Sequence, residues 1–132
     1  EGFETSKNPF WLFSRSKARG IFGNQYNVEK NSNMYQALSP IYNIPKREDR
    51  VLPPQFFLVG TKDSLTTPAS IREYIEKIES FGHKTEYWEY EDRNHAFLDS
   101  GSNFFLGSNF EEDAPRAIDM MIDFLDRVFE EN

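Results

Sequence analysis

The stretch QFFLVGTKD at residues 55–63 decides the fold class. Residues 55–60 form a nearly continuous apolar run, and two prolines before it and the polar GTKD after it mark its ends. A short apolar run bounded by turn signals is typical of a strand buried on both faces, as in a parallel sheet. We therefore predict a buried strand over residues 55–60, with Asp63 just beyond its carboxyl end.

The next segment predicts a helix. Thr67 is a suitable N-cap, Pro68 suits the first helical position, and Gly82 suits a left-handed C-terminal cap. Between them apolar residues recur at the spacing of one helical face. That apolar stripe consists of Ile71, Tyr74, Ile75, Ile78 and Phe81.

A second strand is predicted over residues 85–90, where two Glu residues are mixed with residues of high β-propensity. This composition indicates a partly exposed face or a position near the sheet edge. His83, between helix and strand, is interpreted as a surface turn residue. His95 lies in the loop after the second strand, and residues 98–112 read as one long loop.

A final helix is predicted to begin near Asp113 and Pro115. The acidic residues 111–113 fit the positive end of the helix dipole, which favours this interpretation over a cation site. The apolar residues of the helix are predicted to face one way. They are Ile118, Met121, Ile122, Leu125, Val128 and Phe129.

The order of strand, helix and strand predicts a βαβ unit with parallel strands. The carboxyl ends of parallel strands meet at one edge of the sheet, so Asp63 and His95 are expected to lie together there. A carboxylate beside an imidazole holds one tautomer and stabilises the imidazolium. Asp63 would orient the ring and His95 would act as the base. Two parallel strands cannot cover their own faces and edges, so we expect residues 51–132 to belong to a larger doubly wound sheet.

Residues 1–50 lack strong periodicity and are expected to form short helices and loops that pack on or cap the core. A short helix is predicted around residues 33–38, ending before Pro40. The aromatic cluster of Phe10, Trp11 and Phe13 is expected to pack on the core, with a pocket lining as the alternative.

Composition excludes several classes of function. The 132 residues carry a net charge of −7 and no cysteine. A thiol nucleophile, a disulfide framework and a cysteine-bound metal are therefore excluded. The acidic balance argues against nucleic acid as a partner, and no apolar run is long enough for a membrane span. Cytoplasmic and secreted locations both stay open.

Four pieces of sequence, in this order and spacing, resemble the C-terminal part of α/β-hydrolase-fold esterases and lipases, in the group that includes acetyl-esterase-like enzymes. The matching pieces are Ser39-Pro40-Ile41, LPPQFFLVGTKDSL (residues 52–65), GHKTEY (residues 82–87) and NHAF (residues 94–97). The resemblance covers residues 36–130. It implies an α/β fold in which this chain contributes the C-terminal βαβα part of a mostly parallel sheet.

The resemblance also implies the site. Asp63 matches the acid and His95 the base of a Ser-His-Asp triad, and Leu65 and Phe97 are candidate substrate contacts. For Phe97 a wedge beneath the His loop is the alternative. The family carries its serine in a G-x-S-x-G elbow that precedes the acid in the chain, and this sequence has no such motif. The nucleophile and the oxyanion segment are thus expected upstream of residue 1, and the chain alone is expected to be inactive.

The implied function is hydrolysis of a small-molecule or carbohydrate ester, with no cofactor and no metal. The expected partner is the missing N-terminal half of the same protein, or a second copy bound through an exposed sheet edge. Two other functions stay open: an oligopeptidase-like serine peptidase, which shares a similar ending of acid, helix and His, and a non-catalytic interaction module.

Overall fold

The computed structural model describes residues 30–99, 102–103 and 108–130. The aromatic cluster predicted at Phe10, Trp11 and Phe13 lies outside these ranges. The elements, in chain order, are helix α1 (Ser32–Leu38), a 3₁₀ turn (Pro40–Tyr42), strand β1 (Gln55–Gly60), helix α2 (Pro68–Ser80), strand β2 (Thr85–Tyr90), the short strands β3 (Ser102–Asn103) and β4 (Ser108–Asn109), and helix α3 (Phe110–Glu130).

Strands β1 and β2 pair in parallel, with a register that runs from Gln55 opposite Thr85 to Gly60 opposite Tyr90. Both strands have the predicted bounds, and the parallel βαβ arrangement is confirmed. The described part of the chain is therefore mixed α/β. The predicted long loop over residues 98–112 is wrong in part, because β3 and β4 form an antiparallel pair within it and α3 begins at Phe110.

Helix α2 has the predicted ends. The Thr67 hydroxyl accepts a hydrogen bond from the Ser70 backbone N–H at 3.2 Å, and Pro68 occupies the first turn. After the helix, Gly82 has a φ of 86°, a left-handed conformation that glycine adopts without strain. The predicted stripe places Ile78 in the core, where it is fully buried.

Helices cover both faces of the β1–β2 pair, because successive residues of a strand point to opposite faces. On one face the Phe57 ring meets Tyr74 of α2 with centroids 5.8 Å apart. On the other face the Phe56 ring lies 5.4 Å from Phe124 of α3. Ala117 of α3 is completely buried there, so this second layer belongs to the core.

The predicted apolar residues of α3 lie within about 120° of one another around the helix, so they share one broad face. The sheet covers only one edge of that face, which leaves two stripes in different environments. One stripe packs toward the sheet through Ala117, Met121, Phe124 and Val128, which are buried or half-buried. The other, called here the α3 ridge, consists of Ile118, Ile122, Leu125 and Phe129, whose exposures are 45%, 49%, 47% and 75%. In the ranges that the structure covers, no helix combines the length and apolar character needed to cross a membrane.

His83 is not the surface turn residue that its position predicts. It is only 4% exposed, and its Nε2 lies 2.8 Å from the carbonyl oxygen of Pro45. Its Nδ1 accepts a hydrogen bond from the Leu52 N–H at 3.4 Å. The neutral tautomer with the proton on Nε2 satisfies both contacts. The segment before β1 folds over the end of α2 and buries the ring, a contact between positions more than thirty residues apart.

Candidate active site

Asp63 is fixed immediately after β1 by a tight turn. Its backbone N–H donates to the Gly60 carbonyl at 2.9 Å, and its side chain is 6% exposed. Carboxylate oxygen Oδ1 accepts hydrogen bonds from the backbone N–H groups of Leu65 and Thr66, both at 2.8 Å. This pattern is that of an Asx turn, in which the side chain organises the residues that follow it. It immobilises the carboxylate and leaves Oδ2 for another donor.

That donor is His95. Its Nδ1 lies 2.9 Å from Asp63 Oδ2, so the two residues that the sequence places at one sheet edge are indeed brought together. A carboxylate acceptor selects the tautomer that carries the proton on Nδ1. The His95 side chain is 48% exposed, and its Nε2 makes no hydrogen bond to any residue within the described ranges. The unprotonated Nε2 is therefore an accessible proton acceptor.

The His95 loop lies directly against the end of β1. The Lys62 N–H donates to the Arg93 carbonyl at 2.9 Å. A β-carbon built on Gly60 would lie 2.1 Å from that same carbonyl oxygen, far inside van der Waals contact. Glycine at position 60 thus permits the close approach that carries His95 to Asp63.

The residue that follows His95 has a strained backbone. Ala96 has a φ of 59°, in the left-handed region that disfavours residues with a β-carbon. Its carbonyl accepts a hydrogen bond from the Asp99 N–H at 2.9 Å, and the next side chain, Phe97, is 5% exposed and packs 4.8 Å from the Tyr90 ring. The Phe97 ring therefore belongs to the core cluster beside the His95 turn.

An ion pair that sequence analysis did not find ties the same loop to α3. Arg93 Nε lies 2.6 Å from Asp113 Oδ2, and Arg93 Nη2 lies 2.9 Å from Asp113 Oδ1. The Asp113 side chain is 6% exposed, and the hydrogen bond to this carboxylate raises the pKa of the Arg93 guanidinium. The sequence contains a weak signal for this pair: an arginine lies two positions before His95, and an acidic run lies at the start of the last helix. The helix dipole already accounts for the acidic run, so the sequence alone does not indicate the pair.

A cleft of about 270 Å³ runs along β1 beside the pair. Asp63 and His95 line it together with mostly apolar side chains, among them Ile71, Phe97 and Leu98. Of the two candidate substrate contacts, Phe97 borders the cleft. Leu65 does not line the cleft, and its backbone N–H binds the Asp63 carboxylate.

The described residues contain no group of three or more His, Asp or Glu side chains that could hold a metal ion. No family model, curated protein or solved structure matches the chain. The argument for function therefore rests on the sequence motifs and on the geometry of Asp63 and His95.

Proposed function

We propose that this chain is the C-terminal part of a serine-dependent carboxylic ester hydrolase and supplies the acid and base of its Ser-His-Asp triad. The observation that carries the proposal is the 2.9 Å contact between Asp63 Oδ2 and His95 Nδ1 at the carboxyl ends of two parallel strands. Asp63 holds the ring and stabilises its cationic form. His95 Nε2 performs the proton transfers.

The reaction has two halves. His95 Nε2 takes the proton of a serine hydroxyl while the serine oxygen attacks the ester carbonyl. The resulting imidazolium gives that proton to the departing alcohol, and an acyl-enzyme remains. A water molecule, deprotonated by the same Nε2, then attacks the acyl carbon. The bond to the serine oxygen breaks, the acid leaves, and the imidazolium returns its proton to the serine oxygen. Asp63 stays ionised throughout and keeps the ring in one tautomer.

The serine in this proposal belongs to a segment upstream of Glu1 that joins the sheet beside β1. The apolar β1 carries no charged residue, whereas β2 contains Glu86 and Glu89, so β2 has the composition of an edge strand and β1 that of an interior strand. Within the described residues, however, β1 pairs only with β2. A further strand at the free side of β1 would satisfy its outward-facing backbone groups.

The α3 ridge supports the same position for the missing strand. Arg127 of α3 reaches Glu86 of β2 at 2.5 Å, and Phe124 contacts Phe56 of β1. The ridge lies about half a turn around the helix from Arg127. Because Arg127 points toward β2, the ridge points the other way, past β1 and beyond its free side. A sheet extended in that direction would be covered by these exposed apolar side chains.

Two experiments test this function. First, the sequence encoded upstream of Glu1 should contain G-x-S-x-G between a strand and a helix, and a coding region without it would refute the proposal. Second, in the protein that includes that segment, His95→Ala should lower turnover of a short-chain aryl ester by about 10⁶-fold while the fold stays intact. His83→Ala is the matched control, since it removes the buried histidine and should reduce stability but leave the folded enzyme active.

One observation favours a second candidate, a non-catalytic interaction module. The α3 ridge exposes four large apolar side chains, and within the described residues β1 pairs only with β2, so a second copy could cover both features. Light scattering or sedimentation of the isolated chain distinguishes this alternative. A stable dimer of the isolated chain at twice its 15.5 kDa mass, together with a dimer of the longer serine-containing protein that shows no ester turnover, would favour the module over the hydrolase.

A further inference from the structure

We propose that Arg93 and Asp113 form a positioning device that keeps His95 in hydrogen-bonding contact with Asp63. The inference builds on the proposed function, because it assigns a role to residues that touch neither a substrate nor the proton being transferred. It concerns an ion pair between the His95 loop and α3 that the triad itself does not explain.

Arg93 is held at both ends. Its side chain makes two hydrogen bonds to the Asp113 carboxylate, at 2.6 and 2.9 Å, and its carbonyl accepts a hydrogen bond from the Lys62 N–H at 2.9 Å. The planar guanidinium matches the two carboxylate oxygens, so the pair fixes orientation as well as distance. Only Asn94 separates this anchored residue from His95.

The partner of Arg93 is itself rigid. Asp113 lies in the first turn of α3, and its side chain is 6% exposed. A carboxylate buried to this degree needs a charged partner, because an unpaired buried charge is strongly destabilising. Ala114 and Ala117 of the same helix are buried in the core. The His95 loop is therefore connected through Arg93 to a fixed element of the core.

The His95 loop has a strained backbone that is expected to relax if the Arg93–Asp113 pair is removed. Asp92 and Ala96 both have a φ of 59°, so residues on either side of the Arg93–His95 segment adopt a conformation that costs free energy. Such a backbone persists only where surrounding contacts impose it. Without the anchor, the loop can relax and His95 Nδ1 can leave the Asp63 carboxylate.

The same loop offers a matched control. Lys62 Nζ lies 2.8 Å from Asp92 Oδ1, but these side chains are 60% and 64% exposed. Exposed ion pairs contribute little, because water screens them and both side chains lose rotamer freedom. Lys62→Met therefore removes an ion pair of the same loop without removing the anchor.

Nuclear magnetic resonance of the ¹⁵N-labelled 132-residue chain tests the proposal through the tautomer of His95, at a pH where the imidazole is neutral. The wild-type chain should show the proton on Nδ1, as the carboxylate requires. Free imidazole side chains in water prefer Nε2–H, so in Arg93→Met the ratio of Nδ1–H to Nε2–H at His95 should fall at least fivefold. Arg93→Lys should fall between the two, since an ammonium cannot make the paired contact. Lys62→Met should match wild type.

His83 provides an internal standard for folding. Its Nε2–H tautomer is set by Pro45 and Leu52, far from the anchor in the sequence, and should be unchanged in every variant that folds. If Arg93→Met does not fold, the comparison of Arg93→Lys with wild type decides. A His95 tautomer ratio that stays at the wild-type value in the folded variants would overturn the proposal. Because no turnover is measured, this result is independent of whether His95→Ala abolishes ester hydrolysis.

Discussion

Gly60→Ala tests whether the close approach of β1 and the His95 loop is necessary for the acid–base pair. The added β-carbon would lie 2.1 Å from the Arg93 carbonyl oxygen and 2.9 Å from the Asn94 carbonyl oxygen, and such contacts essentially never fall below 3.0 Å. Both neighbours are backbone atoms, so no side-chain rotation can relieve the overlap. The loop that carries His95 must move away.

The expected cost is about 1–3 kcal/mol, the range for overpacking a well-filled site. Gly82→Ala is the matched control. Its left-handed φ of 86° makes alanine unfavourable by about 1–2 kcal/mol, and its β-carbon would contact Arg47 at 3.3 Å. The two variants are thus expected to lose similar amounts of stability, but only the change at position 60 displaces the His95 loop.

Urea unfolding followed by far-ultraviolet circular dichroism measures the loss of stability. The ¹⁵N spectrum of the imidazole rings then shows whether His95 keeps its proton on Nδ1. We expect Gly60→Ala to lose this tautomer and Gly82→Ala to keep it. Wild-type stability together with an unchanged His95 tautomer in Gly60→Ala would refute the claim that this contact positions the site.

Three further changes test individual contacts. Asp63→Ala removes the acceptor of two backbone N–H groups and should destabilise the chain by about 1–3 kcal/mol in urea unfolding, whereas Asp63→Asn keeps an acceptor and should cost less; equal costs would contradict this account. Thr67→Ala removes the cap of the Ser70 N–H and should lower the free energy of unfolding by about 1 kcal/mol, with Thr67→Ser close to wild type as the control. Burial, followed by the hydrogen bond to Glu89, raises the pKa of the Tyr87 hydroxyl to about 12. The unfolded chain releases this proton near pH 10, so this group's contribution to stability is complete below about pH 10 and is lost as the pH rises to about 12. An absorbance titration of the phenolate should contain a late step that is absent from Tyr87→Phe, and titration of all tyrosines near pH 10 would contradict it.

Much of the site could be predicted because its determinants are local. The apolar run of β1, the cap at Thr67 and the left-handed Gly82 each act through neighbouring residues, and they fix the elements that place Asp63 and His95 at the ends of adjacent strands. The helix between the strands makes them parallel, and the carboxyl ends of parallel strands meet at one edge of the sheet. Asp63 and His95 follow those two ends and therefore lie at the same edge.

The sequence by itself determined the βαβ unit and the acid–base pair that it presents. Tertiary structure alone decided that His83 is buried, that Arg93 pairs with Asp113, and that α3 divides its apolar residues between the sheet and the exposed ridge. The reason is physical. Periodicity and capping depend on interactions within a few residues, so they can be recognised in the sequence. The burial of His83, the Arg93–Asp113 pair and the exposed ridge of α3 depend instead on which distant segments meet when the layers pack. The sequence pattern does not specify those contacts.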